Sequence, residues 1–100
     1  MERGREMNDL EISELIQRRR LQILVHSYLY YELNTNIISD SQFNEWAKEL
    51  VQLQHKYPKV ASQVIYAKEF SDFDGSTGFD LPKNEQVIRI ANRLLSIKGE

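Results

Sequence analysis

Apolar residues recur at helical spacing along the first third of the chain, and they fall on two faces instead of one. One stripe holds Ile12, Ile16, Ile23 and Tyr30, and the other holds Leu21, Leu24, Val25, Tyr28 and Leu29. The helix is predicted to start at Asn8 or Asp9, whose side chains can accept hydrogen bonds from first-turn amides, and Glu11 suits the helix dipole there. A helix with two apolar faces must pack between other elements, so residues 21–33 are predicted to form the central post of the fold.

A second helix is predicted after the polar break at residues 34–36, whose Asn-Thr-Asn sequence is typical of a turn. Ser39 and Gln42 have the spacing at which each side chain caps the other's backbone amide. The apolar stripe that follows contains Phe43, Trp46, Ala47, Leu50, Leu53, Gln54 and Tyr57. Pro58 cannot continue a helix but is tolerated in a first turn, so we predict a third helix from Pro58 to about Phe70.

The last third of the chain reads as a loop followed by one more helix. Residues 71–82 carry two of the four glycines and one of the two prolines, and residues 84–98 have an amphipathic helical pattern. No strand-like alternation is present. We therefore predict an all-α fold, a compact bundle of about four helices in a single domain over residues 1–100, with residues 1–7 as a flexible N-terminus.

Composition excludes several classes of protein. The chain has 100 residues, 41% hydrophobic and 28% charged, which is the balance of one globular domain. It has no cysteine, which excludes disulfides and thiolate metal sites, and it has no apolar run typical of a signal peptide or a membrane span. We expect a cytoplasmic protein with no membrane partner. The net charge of −2 means that any nucleic-acid contact must be local.

Neither the acidic loop nor the two histidines has the pattern of a metal site. Asp72, Asp74 and Asp80 lack the alternating ligands and the terminal glutamate of a calcium loop, so a turn-rich connection is the preferred interpretation. His26 and His55 have no ligand partners at metal spacing and are assigned to packing or to the surface. No metal site is predicted.

Three successive arginines, Arg18, Arg19 and Arg20, form the strongest local charge. Successive helical residues point about 100° apart, so these side chains cannot form one narrow patch. A solvated collar is the preferred interpretation. Phosphate binding is the alternative, and Arg93 and Lys98 could contribute to it if the last helix packs nearby.

Tyr28, Tyr30 and Tyr31 cluster shortly before Asp40, and this combination has two interpretations. The tyrosines can pack in the core and at its rim with their hydroxyls near water. Alternatively, rings and carboxylate together can form a small ligand pocket. Trp46 lies on the inner stripe of the second helix and is predicted to belong to the core.

The middle of the chain also carries an ordered series of short motifs. Residues 28–31 read Tyr-Leu-Tyr-Tyr, residues 39–46 read Ser-Asp-Ser-Gln-Phe-Asn-Glu-Trp, and a Leu-x-x-Leu step and Tyr-Pro follow by residue 58. In order and spacing, residues 24–60 resemble domain Ia, the N-terminal helical domain of NAD-dependent bacterial DNA ligases. The resemblance implies a helical hairpin in the middle of the bundle.

The resemblance implies a pocket for nicotinamide mononucleotide, the half of NAD that domain Ia holds. Tyr30 matches the stacking tyrosine, and Asp40 matches the first aspartate. Tyr31, Phe43 and Asn44 stand where the family has histidine, tyrosine and aspartate, so a potential cation, a hydroxyl and a negative charge are lost. The resemblance thus makes nicotinamide mononucleotide or NAD the candidate ligand of a weakened site, and no cofactor is firmly predicted.

The same comparison argues against ligase chemistry in this chain. The ligases form their adenylate on the lysine of a Lys-x-Asp-Gly motif in a large separate domain. Here the only Asp-Gly stretch, residues 72–75, begins with aspartate, which cannot replace an amine nucleophile. We predict that the chain is not an enzyme and has no catalytic residues.

Three functions remain open. The leading hypothesis is a binding or regulatory module, plausibly from a phage or prophage, that acts through a protein partner such as a DNA ligase or a replication protein. The alternative is a weak nicotinamide mononucleotide or NAD-binding protein that uses Tyr30 and Asp40. The third is a DNA-binding accessory that uses Arg18, Arg19 and Arg20, with weak and salt-dependent affinity. The sequence leaves the oligomeric state open.

Overall fold

Helices account for most of the chain in the computed structural model, which describes residues 8–35, 37–75 and 84–98. Within those residues there are four helices and no strand: α1 (Asp9–Tyr31), α2 (Asp40–Lys56), α3 (Pro58–Ala61) and α4 (Glu85–Lys98). The predicted all-α bundle of about four helices is confirmed. The predicted flexible N-terminus, residue 36 of the polar break and residues 76–82 of the predicted loop lie outside the described residues.

Side-chain caps set the starts of the long helices. Asn8 Oδ1 accepts from the Glu11 amide at 2.9 Å, and Glu11 Oε1 accepts from the Asn8 amide at 3.0 Å, which is a reciprocal capping box. Ser39 Oγ accepts from the Gln42 amide at 3.1 Å and so caps α2. These caps confirm the starts predicted from sequence.

α1 is the central post, as its two apolar stripes predict. It packs against α2, α3 and α4. Its buried apolar residues come from both stripes and are each at most 2% exposed: Ile12, Ile16, Ile23, Leu24, Val25 and Leu29. Because the helix is covered on opposite sides, burial of this post is the main apolar stabilisation of the domain.

α1 and α2 form an antiparallel hairpin. Arg20 contacts Gln54 near the end of α2, whereas His26, further along α1, contacts Trp46 nearer the start of α2. The chain reverses just after α1, where Asn34 adopts φ 53°, a left-handed conformation that asparagine tolerates better than most residues. The end of α1 and the start of α2 therefore lie at one end of the hairpin.

The prediction of a third helix to about Phe70 is wrong, because α3 ends at Ala61. The Arg20 guanidinium donates hydrogen bonds to the carbonyl oxygens of Ala61, Val64 and Ile65, each at 3.1 Å. In a longer helix, amides four residues on would take those oxygens. A side chain from α1 therefore replaces the helical hydrogen bonds, and the chain continues as turns.

Tyr66 ties this turn segment to the last helix. Its backbone has φ 72°, which opposes helix continuation. Its hydroxyl accepts from Asn84 Nδ2 and donates to Gln86 Oε1, both at 2.8 Å. Asn84 Oδ1 also accepts from the Val87 amide at 3.0 Å, so one asparagine caps α4 and anchors the tyrosine.

Candidate functional site

The residues predicted to bind a ligand gather at one end of the α1–α2 hairpin. Tyr30 and Tyr31 lie in the last turn of α1, while Asp40, Phe43 and Asn44 lie in the first turn and a half of α2. The antiparallel register places these two turns beside each other. The predicted ligand-binding residues of α1 and those of α2 therefore lie at the same end of the fold.

Two of the three tyrosines at this end present their rings to solvent. Tyr30 is 51% exposed and Tyr31 is 42% exposed, and their rings meet edge to face with centroids 4.9 Å apart. Leu33, just beyond the helix, is 39% exposed. Tyr28 instead packs against the core, as the core interpretation expects. We call Tyr30, Tyr31 and Leu33 the tyrosine end.

The α2 residues beside the tyrosine end differ in their surroundings. Phe43 packs against the core, whereas Asp40 and Asn44 are exposed. Asp40 is the first residue of α2, where the helix dipole already favours a carboxylate, so its position has a structural explanation that needs no ligand. The exposed rings and carboxylate leave this end accessible to a binding partner.

One turn before Tyr30, His26, Trp46 and Arg19 form a layer between the two helices. The sequence predicts His26 in packing or at the surface, Trp46 in the core and Arg19 in a solvated collar. The His26 ring stands 5.6 Å from the Trp46 ring, and the Arg19 guanidinium lies 5.9 Å over the same indole. Within the described part of the chain His26 Nδ1 is buried and has no hydrogen-bond partner, and burial lowers the pKa of His26. Trp46 packs against the core, as its stripe predicts.

The three arginines do not form one surface. Arg18 is exposed, and Arg19 Nε pairs with Glu49 Oε1 at 2.8 Å. Arg20 is 2% exposed, so the prediction of a solvated collar is wrong for this residue. It lies on the buried stripe between Ile16 and Ile23, and its N–H donors are already engaged by protein acceptors. A nucleic-acid site built on all three arginines therefore has no support in this arrangement.

Every N–H group of the Arg20 guanidinium has an acceptor. Nε and Nη2 donate to Gln54 Oε1 at 2.9 and 2.7 Å, and the remaining donors bind the three backbone carbonyls of the turn segment described above. Gln54 in turn donates to the Phe70 carbonyl at 3.2 Å. Burial lowers the pKa of Arg20, and the charge of Glu69 opposes that shift.

Metal and membrane sites gain no support from the described part of the chain. Among its residues, no group of three or more histidine, aspartate or glutamate side chains is placed to hold a metal ion. None of the described helices combines the length and the apolar character needed to cross a bilayer. Asp80, one of the three aspartates considered for calcium, lies outside the described residues.

A family described as "DNA ligase-like, N-terminal NAD+-binding domain" matches residues 9–63 of the chain, more than half of its length. The chain belongs to this family. The resemblance to ligase domain Ia at residues 24–60 is thereby confirmed, and the match adds the first part of α1.

Similar proteins are DNA ligases of several bacteria. The DNA ligase of Bacteroides fragilis is 33% identical over 93 residues, which cover 90% of this chain and 12% of the ligase. Those of Thermosipho africanus and Petrotoga mobilis are 36% and 41% identical over 56 and 49 residues, 8% and 7% of the respective ligases. The chain therefore spans about a tenth of the length of these relatives. No solved structure matches it significantly.

Proposed function

We propose that this ligase-family domain is a non-catalytic binding or regulatory module that acts through a protein partner, and that the tyrosine end is its contact surface. The observation that carries the proposal is the exposure of three large hydrophobic side chains close together in the sequence, with Tyr30 at 51%, Tyr31 at 42% and Leu33 at 39%. Tyrosines offer a large, rigid contact area with a polar tip and are enriched among the residues that dominate interface energies.

A DNA ligase or a replication protein is the partner class we infer, in a cytoplasmic setting. Support comes from the relatives, which are DNA ligases in which the matched segment makes up about a tenth of the chain. Within those ligases the matched segment belongs to the same chain as the remaining nine-tenths of the protein. We infer that this domain, on a separate chain, can contact a ligase through the tyrosine end.

A pull-down from the host cytoplasm, followed by titration of the captured purified protein, tests this proposal. The test variant is Tyr30→Ala with Tyr31→Ala, and the matched control is Ile97→Ala, an exposed apolar residue at 62% on α4. Wild type and control should capture a DNA ligase or replication protein. The double variant should bind it about tenfold more weakly or worse, because interface aromatics typically contribute 1–2 kcal/mol or more. Equal binding by all three proteins would refute the tyrosine end as the contact surface.

A second candidate is weak binding of nicotinamide mononucleotide or NAD at the same end. It is favoured by the exposed Asp40 carboxylate and the exposed ring of Tyr30, which lie at the same end of the hairpin, and by the family description as an NAD+-binding domain. One stacking ring and one carboxylate supply few contacts, so we expect millimolar affinity. Tyr30→Ala and Asp40→Asn should each weaken it further.

Restoring the family residues should strengthen that nucleotide binding. The triple variant Tyr31→His, Phe43→Tyr and Asn44→Asp adds a potential cation, a hydroxyl and a charge, with an expected gain of roughly 1–3 kcal/mol. Amide chemical shifts during titration measure it, and Asn92→Asp, an exposed change on α4, controls for added charge. If neither wild type nor triple variant responds to millimolar ligand, the nucleotide site does not exist.

A further inference from the structure

A concave site lies at the opposite end of the hairpin from the tyrosine end. It is a pocket of about 330 Å³ whose lining includes Pro58 just after α2, Ala61, Ala67, Lys68 and Phe70. Its volume is at the lower end of the range for sites that hold small organic molecules. None of its lining residues belongs to the nucleotide site that the family resemblance implies.

The wall of this pocket combines an apolar surface with two cationic side chains. Phe70 is fully buried and Ala61 is 6% exposed. Arg20 and Lys68 both line the pocket, and no lining residue is acidic. Lys68 forms no hydrogen bond or ion pair through its ammonium group within the described residues, and its side chain is exposed.

Arg20 makes the charge imbalance unusual. The guanidinium is 2% exposed, yet its hydrogen bonds go only to neutral acceptors, the Gln54 amide and three backbone carbonyls. The exposed Glu69 acts on it through charge alone. Buried charges are ordinarily accompanied by a counter-ion, because neutral dipoles replace water only in part. An anion in the adjacent pocket would add to the partial compensation that the exposed Glu69 provides.

We propose that this pocket binds a small organic carboxylate with an apolar body. The apolar part packs on Pro58 and the two alanines, and the carboxylate pairs with Lys68 within the field of Arg20. A phosphate fits less well, because it needs several N–H donors and those of the guanidinium are all engaged. This inference goes beyond the proposed function and uses a different surface.

Titration of the isotope-labelled full chain with 3-phenylpropionate, watched by amide chemical shifts, tests the ligand class. The neutral amide 3-phenylpropanamide is the matched probe. The acid should give saturable shifts at Ser62, Lys68 and Ser71 and bind several-fold more tightly than the amide. Absence of saturation at millimolar acid, or equal affinity for acid and amide, would overturn the proposal. Tighter binding of N-acetyl-glycyl-phenylalanine than of 3-phenylpropionate would identify a protein C-terminus as the source, and weaker binding a free small acid.

Two lysine variants distinguish a specific ion pair between Lys68 and the ligand from a general electrostatic effect of the positive surface. Lys68→Gln should lower the affinity for 3-phenylpropionate about three- to fivefold, which is the usual contribution of a partly exposed ion pair. Lys59→Gln makes the same change at an exposed position that does not line the pocket, and it should have no effect. Equal effects of the two variants, or none from Lys68→Gln, would refute the pairing. Tyr30→Ala should leave this affinity unchanged, which keeps the result independent of the proposed function.

Discussion

Replacing Arg20 with alanine is expected to bring the domain close to unfolding. Two of the lost hydrogen bonds, to the carbonyls of Ala61 and Val64, are buried. Charge-assisted bonds are worth roughly 1.5–3 kcal/mol each, so these two alone predict a loss of about 3–6 kcal/mol. A small domain has only about 5–15 kcal/mol of stability in total, so the loss should be visible as a large fall in the urea midpoint.

Urea unfolding followed by far-ultraviolet circular dichroism and by Trp46 fluorescence measures this loss. Arg18→Ala is the matched control, because it removes the same charge from an exposed neighbouring position and should change stability by no more than about 0.5 kcal/mol. Arg20→Met keeps much of the side-chain volume, and its residual loss therefore reports the unsatisfied carbonyls. If Arg20→Ala and Arg18→Ala have the same free energy of unfolding, the reasoning about the buried guanidinium is wrong.

Two further predictions concern single contacts. Because burial lowers the pKa of His26, the unfolded chain takes up its proton first, so stability should fall as pH drops below the ordinary value of 6.5; His26→Gln should flatten this dependence, and His55→Gln, at an exposed position, should not. A steeper pH dependence in His26→Gln would contradict the sign. Tyr66→Phe removes the hydroxyl that joins Asn84 and Gln86 and should cost about 0.5–1.5 kcal/mol in urea unfolding. An unchanged midpoint would show that this bridge contributes nothing.

The long helices could be predicted because their signals are local. The caps at Asn8 and Ser39 and the apolar stripes of α1 determine starts and buried faces from nearby residues alone. The end of α3 could not be predicted in this way, because it depends on hydrogen bonds from Arg20, 41 residues before Ala61. One feature of the sequence does indicate a buried Arg20. This residue lies on an apolar stripe between Ile16 and Ile23, and that stripe faces the core.

The sequence predicts where the residues of the candidate site lie in the fold, but it does not predict which of their side chains are exposed. Helix order and the short break place Tyr30 and Asp40 at one end of the hairpin without any knowledge of packing. Exposure depends instead on which helix face the neighbours cover, so sequence alone could not distinguish the solvent-facing rings of Tyr30 and Tyr31 from the packed ring of Tyr28. The pocket near Lys68, which has no acidic lining residue, could not be predicted from the sequence either. Its lining comes from four separate stretches of chain, which only the folded structure brings together.

The reach of the Arg20 side chain also has a consequence for how the protein folds and opens. Its bonds to the turn segment join residues 41 to 45 positions apart, so that segment has little to organise it until α1 and α2 have paired. Conversely, separation of the hairpin would release the segment at the same moment. Amide hydrogen exchange should therefore show residues 62–71 and the middle of α1 opening as one cooperative unit, without an intermediate in which the turns unfold alone.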